Sequence, residues 1–204
     1  MKKFELTTEP ITNEAGKKLF RIKALIDFGD VKAGELGGYV EKEGNVSQDG
    51  DAWVTGNAEV FDNAKVFDNA EVFGNAKVSG NAEVFGNAKV SGNAKVSGNA
   101  WVFGNAWVSG DARVSGDARV SDNARVSDNA DYALVQGFGI KFRCTTFYRG
   151  KNKKIMVNCG CFHGDLEGFR KQVKETRSGK IAKEYLMIAD LMEYHFASED
   201  SGNE

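Results

Sequence analysis

From Gly50 to Ser127 the chain repeats a six-residue word thirteen times without insertion, running from GDAWVT through GNAEVF and DNAKVF to DNARVS. Ala recurs at 52, 58, 64 and every sixth position to 124, and Val at 54, 60, 66 and every sixth position to 126. Two apolar columns two residues apart fall on one side of an extended strand, so they define an interior. The residues flanking each Val then face outward. The Gly-Asn or Asp-Asn pair makes the corner, because these residues tolerate the positive φ of tight turns. Gly and β-branched Val at a period of six match neither the 3.6-residue period nor the composition of a helix. A unit this short cannot bury its own apolar side, so the units must stack as a solenoid.

The word [Gly/Asp]-[Asn/Asp]-Ala-x-Val-x resembles the hexapeptide repeat of left-handed parallel β-helices. That resemblance implies triangular coils, each built from three hexads, and a left hand. Val40 and Val46 are expected to continue the Ala column upstream of the first complete hexad. At ~4.8 Å per strand layer, a little over four coils make a prism about 20 Å long. Its two ends expose strand edges, which invite pairing with other chains unless they are capped.

The ends differ from the repeat. Residues 1–43 are expected to form an N-terminal β-hairpin cap laid over the first coil. KKFELTT and KKLFRIKALIDF are strand-like runs around the turn-rich EPITNEAG. The segment that follows, with DFGDVKAGELGGYV, resembles the start of bacterial and phage hexapeptide-repeat proteins, some of them described as transferases without a demonstrated reaction. Residues 44–131 are assigned to the β-helix and residues 132–197 to a C-terminal α+β module. There IKFRCTTFYRG and KKIMVNCG flank a KNK turn, and two runs carry apolar residues at helical spacing: Leu166, Phe169 and Val173, then Ile181, Tyr185, Ile188 and Met192. The module reads as ββαα. Its TTFYRG, CGCF, GDLEGF and AKEYLMIADLMEYHF resemble a tail domain of phage and prophage repeat proteins that brings no activity with it. Residues 198–204 read as a disordered tail. The fold class expected is mainly β: a left-handed parallel β-helix of about four to five coils, with an N-terminal β cap and a small α+β module.

Basic and acidic residues nearly balance, 27 against 29, so no strong field draws the chain to nucleic acid or to an anionic membrane. MKKFELTTEP has no apolar run behind its basic start, and no stretch approaches the ~20 apolar residues of a membrane span. Neither a signal peptide nor a membrane partner is expected, and a cytoplasmic location follows, in a bacterial host cell if the chain is phage-encoded. Three cysteines without a secretory signal read as reduced thiols.

Acyl transfer is the reaction that the resemblance raises, since many hexapeptide-repeat proteins resemble coenzyme A-dependent acyltransferases with a His general base. The repeat contains no His; His163 and His195 both lie in the C-terminal module. The expectation is a scaffold with no catalytic residue and no cofactor. An acyltransferase-like enzyme, or a degenerate relative of one, is the alternative. Cys144, Cys159, Cys161 and His163 offer the ligand types of a zinc site. The Cys-Gly-Cys spacing is not that of the usual knuckle, however, and Cys159 and Cys161 packing on one strand face is the simpler account. Arg113, Arg119 and Arg125 fall one on each face, and the line Lys77, Lys95, Arg113, one residue per coil, is flanked by acidic corners at Asp111 and Asp117. Nucleic acid is therefore not the expected partner.

The aromatic residues set one part of the surface apart. With three hexads per coil, Phe67, Phe85 and Phe103 lie over one another with Trp101 beside them. Trp53, Phe73 and Trp107 fall on another face, interrupted by Glu71 and Lys89, and the remaining face has only Phe61. Outward aromatics in this number mark an interaction surface, here Phe67, Phe85, Trp101, Phe103, Trp53 and Trp107. The C-terminal module, a second or third copy of the chain, or a foreign protein could cover it. Trimers are common among the proteins this chain resembles. The function expected is a non-catalytic scaffold acting through protein contacts. From the phage resemblance, that means an accessory protein that binds a host factor, for example an anti-CRISPR-like inhibitor of a host-defence enzyme.

Overall fold

The computed structural model describes residues 2–139 and 143–197, with only the backbone described at Arg143. The tail expected over residues 198–204 lies outside them. The chain divides into two compact units, Met1–Asn129 and Ala130–Glu204.

In the first unit every hexad yields a two-residue strand at its x-Val pair. Thirteen of these follow one another, from β4 (Trp53–Val54) to β16 (Arg125–Val126). Each strand pairs in parallel with the strand three hexads further on, so three sheets run along the solenoid. One stacks Val60, Val78, Val96 and Val114; a second Val66, Val84, Val102 and Val120; a third Val54, Val72, Val90, Val108 and Val126. The Ala and Val columns are buried throughout and fill the interior between the three sheets. With the first coil described below, the fold is a parallel β-solenoid of about five turns.

The corners follow from backbone sterics. Gly98 holds φ at +69°, and a Cβ there would lie 2.9 Å from the Gly116 nitrogen in the next coil. Asp62, Asp68 and Asp122 adopt the same left-handed geometry, at 59°, 58° and 55°. The carboxylates of Asp62 and Asp68 accept from the amides of Gly80 and Gly86 one coil on, at 3.2 and 3.1 Å, which offsets the conformational cost. Beside most of these Gly and Asp residues stands an Asn, and from Asn57 to Asn99 such side chains donate to the next coil. Asn57, Asn75, Asn93 and Asp111 form one ladder, and Asn63, Asn81, Asn99 and Asp117 another, with spacings of 2.9 to 3.3 Å. Both end on Asp, which accepts and has nothing to donate.

The first coil departs from the expected frame. Val40 and Val46 pair with Val60 and Val66, so they continue the Val column, not the Ala column. The step from Val46 to Val54 exceeds a hexad by two positions, which makes this coil longer than the regular ones. Within the longer step, Gln48 reaches the start of β1 (Phe4–Thr12), accepting from the amides of Lys3 and Phe4 and donating to the Phe4 carbonyl. Gly38 takes the Ala position, where a Cβ would meet the Ala58 oxygen at 2.7 Å.

The cap is a hairpin, but it extends a sheet where it was expected to lie over the coil. Strand β1 pairs antiparallel with β2 (Lys18–Ala24), which pairs antiparallel with β3 (Leu36–Val40), and β3 joins the Val60 stack in parallel. Inside the solenoid, corner and Ala carbonyls accept from the preceding coil, as Gly74 does from Asn57 and Ala76 from Glu59. At the open end other donors take over. The Lys3 ammonium donates to Gly50 and Ala52 at 3.1 and 2.9 Å, the Arg21 guanidinium to Gly56 at 3.2 Å, the Tyr39 amide to Ala58 at 2.8 Å, and the Asn45 side chain to Asp62 and Ala64 at 3.3 and 2.9 Å. Six carbonyls that would otherwise be orphaned are satisfied, each a group that costs about 1–3 kcal/mol when buried without a partner.

The second unit is an antiparallel sheet of β17 (Tyr132–Phe138), β18 (Arg143–Arg149), β19 (Ile155–Cys159) and β20 (Phe162–Asp165), in that order, packed against α1 (Leu166–Thr176) and α2 (Gly179–Phe196). The expected hairpin and helices are present, and one further strand flanks the hairpin on each side. Asp165 caps α1 by accepting from the Gly168 amide at 2.9 Å. Phe147 and Val157 from the sheet, Phe169 and Val173 from α1, and Ile188 and Met192 from α2 lie at the centre of the core. No helix among the described residues is long and apolar enough to cross a membrane.

Candidate functional site

The outward side chains of the solenoid meet their counterparts one coil away, so each face is a column of vertical pairs. On the first face Glu59 meets Lys77, and the ion pair spans 3.3 Å. On the third, Glu71 meets Lys89 at 2.9 Å. The second face instead carries the aromatic column. Phe67 and Phe85 stack with ring centroids 4.8 Å apart and planes 4° from parallel, and Phe85 and Phe103 repeat this at 5.0 Å and 4°. Trp101 meets the Phe85 ring edge-on at 6.1 Å. The rings are half-buried, so each presents an edge outward while its faces are occupied, fully so for Phe85.

The two late tryptophans have a second role. Arg119 lies 4.6 Å from the Trp101 ring centre, and Arg125 lies 5.6 Å from that of Trp107. A Lys at either Trp position would stand directly opposite Arg in the parallel register, where like charges repel. The first face does carry such a run, Lys77, Lys95 and Arg113, and there Glu14 and Glu59 neutralise Lys77.

Trp53 does not belong to the exposed set. It is 5 % exposed, held edge-on against Phe4 at 6.1 Å and Phe28 at 5.3 Å, so the N-terminal segment has made it part of the core. Phe61 is likewise buried, where the β1–β2 hairpin tip reaches the first face through Asn13 to Glu59 at 2.9 Å and Glu14 to Lys77 at 3.1 Å. Trp107 remains exposed at 39 %, its indole donating to Ser91 at 2.8 Å. Residues 29–35 flank the third face and leave a groove of about 690 Å³, lined by Asp30, Glu35, Asp51 and Glu71 with Phe73 and Lys89. The cap thus lies against the first and third faces, and the aromatic column occupies the second.

The candidate zinc ligands are not brought together. Cys159 is paired across the sheet with Phe162, so His163, the next residue, projects to the opposite face beside Asn158. Cys161 is in the turn between β19 and β20, not on the Cys159 strand face, and the Cys159 thiol is 3.1 Å from the Thr145 hydroxyl. Cys144 lies on the neighbouring strand, β18. Among the described residues no group of three or more His, Cys, Asp and Glu side chains could hold a metal ion.

The parallel coils, the buried Ala and Val columns and the corner ladders define the chain as a β-solenoid repeat protein. Residues 94–110 and 118–130, which include Trp101, Phe103 and Trp107, match the YdcK Beta solenoid repeat family model. No curated protein matches the chain.

Proposed function

We propose that the chain is a non-catalytic scaffold that holds a protein partner against the face carrying Phe67, Phe85, Trp101 and Phe103. The observation that carries this reading is the aromatic stack itself: three Phe rings in register and a Trp, half-exposed on an outward column where the other faces carry ion pairs or lie under the cap. Bases and sugars bind aromatic side chains by stacking on ring faces. Both faces of Phe85 and one face each of Phe67 and Phe103 are used by neighbouring rings, and Arg119 lies over Trp101, which favours the apolar side chains of a protein as the ligand. The finer part of the proposal is a left-handed hexapeptide-repeat solenoid, encoded by a phage or prophage and directed at a bacterial host factor. The motif resemblances support that part.

The test is capture of partners from a bacterial lysate by the wild-type chain and by a Trp101→Lys, Phe85→Ser double variant. Both substitutions are outward, so the variant is expected to keep its circular dichroism spectrum while losing a hot-spot-sized contribution, at least tenfold in capture. Undiminished capture by the folded variant refutes the assignment. Calorimetric titration with coenzyme A or an acyl-CoA addresses the acyltransferase alternative. A flat trace is expected, and saturable binding would favour the enzyme.

A further inference from the structure

The groove beside the third face has a chemistry that the aromatic column lacks. Residues 29–35 bound it on one side, and the outward residues Trp53, Glu71 and Lys89, one from each of three adjacent coils, line it on the other. At ~4.8 Å per coil those three span about 10 Å, the reach of about three residues of extended chain. Its volume of about 690 Å³ is that of a ligand cleft. Asp30, Glu35, Asp51 and Glu71 set four carboxylates around it against the single ammonium of Lys89. Lys89 is bound to Glu71 at 2.9 Å, and the buried Lys3 ammonium attracts Asp51. Asp30 and Glu35 have no ion pair among the described residues. Glu35 accepts from the Lys32 backbone amide at 3.2 Å, but the Lys32 ammonium is bound to Asp27.

The four carboxylates do not converge on one point, since no group of three or more His, Cys, Asp and Glu side chains among the described residues could hold a metal ion. Their charge is matched by a long organic cation, whose stem can lie along Val31 and Phe73. Trp53 supplies a second and independent requirement. It lines the same groove and is 5 % exposed, and its indole N–H has no acceptor among the described residues. A buried N–H in that state is costly, and an oxygen carried beside the cation would supply the missing acceptor. We propose that the groove takes an arginine or lysine side chain presented on an extended segment of a protein partner, with the cation at Asp30 and Glu35 and a carbonyl of the segment accepting from Trp53. The site shares no residue with the aromatic column, so it stands whether or not that column holds a partner.

The probe is the capped tripeptide acetyl-Gly-Arg-Gly-amide, titrated into the full-length chain. The indole N–H signals of the three Trp residues are followed by proton–nitrogen correlation NMR, each assigned with its Trp→Phe variant. The carboxylates are exposed or half-buried, so a dissociation constant of about 0.1–1 mM is expected, weakening as salt is added. The Trp53 signal should move downfield and saturate while Trp101, on the aromatic column, stays in place. The same peptide with citrulline for arginine keeps the shape and loses the charge, and should bind at least about fivefold more weakly. Asp30→Asn and Glu35→Gln, both at exposed positions, should each weaken binding several-fold, and Lys89→Met, which frees Glu71, should tighten it. Phe85→Ser should change nothing. Five results overturn the proposal: a Trp53 signal unmoved at about 10 mM peptide, a Trp101 signal that shifts in its place, a citrulline peptide that binds as well as the arginine one, an affinity untouched by both carboxylate variants, or butylguanidine, which has the cation and stem but no carbonyl, binding as tightly as the peptide.

Discussion

Raising the pH from about 7 to about 10 is expected to stabilise the solenoid unit through one side chain, Lys3. This residue is 2 % exposed; its ammonium donates to the Gly50 and Ala52 carbonyls and lies 4.8 Å from the Phe28 ring centre. Burial, only partly offset by Asp51 and Asp49, pushes its pKa from 10.5 down to about 8. The folded chain therefore releases this proton near pH 8, whereas the unfolded chain keeps it to 10.5. Between those values the unfolded state binds more protons, so stability rises with pH. At about 1.4 kcal/mol per pKa unit the ceiling is roughly 3 kcal/mol. Solvent screening at the edge of the cap lowers the expected gain to about 1–2 kcal/mol. The neutral amine still donates to both carbonyls, so the cap stays closed as the charge is lost.

Urea unfolding, followed by far-ultraviolet circular dichroism at the two pH values, measures this gain. Lys3→Met supplies the reference, since the contributions of other titrating groups cancel in the comparison. Lys17, held up by its bond to Asp62, and Lys77, where burial is outweighed by Glu14 and Glu59, have raised pKa values. Their contributions are present below 10.5 and lost only above it, outside the window. A pH increment in Lys3→Met equal to that of the wild type would refute the reasoning.

Two further outcomes follow from single side chains. Gly98→Ala puts a Cβ 2.9 Å from the Gly116 nitrogen at φ +69°, and is expected to cost about 1–3 kcal/mol in urea unfolding, where an exposed Gly→Ala change at negative φ would be neutral or favourable. Asp165→Ala removes the cap of α1 and should cost about 1 kcal/mol at neutral pH. The Gly168 amide holds the Asp165 pKa below its ordinary 3.8, so that contribution is present above 3.8 and fades as the pH falls through the lower folded value. The gap between wild type and variant should therefore close in acid.

The repeat made most of the solenoid legible, because its determinants are local. Each Ala-x-Val assigns two side chains to the interior, each Gly-Asn or Asp-Asn supplies a left-handed corner, and identical words must stack in identical register. Even the end of the Asn ladders is written in the change to Asp111 and Asp117. The helices of the second unit were equally readable, since Leu166, Phe169 and Val173 face the core at helical spacing. The strands at the margins of its sheet were not: Tyr132–Phe138 continues directly from the repeat, and Phe162–Asp165 is short and abuts a helix.

The sequence by itself settled which residues of each hexad are inside and which are outside. Only the tertiary structure decided which of the outside residues stay there. Trp53 and Trp101 occupy the same place in the same word, yet one is core and the other surface, because Phe4 and Phe28 pack on Trp53 from a segment that follows no period. The same holds for the first coil, where Val46 stands in the Val column, two residues further from Val54 than a hexad allows, and Gln48 within that step takes the backbone of Phe4 as its partner. Periodicity reports what a residue's own strand requires. Burial by a distant segment depends on contacts between parts of the chain far apart in sequence, such as Lys3 and Ala52, and no local pattern encodes them.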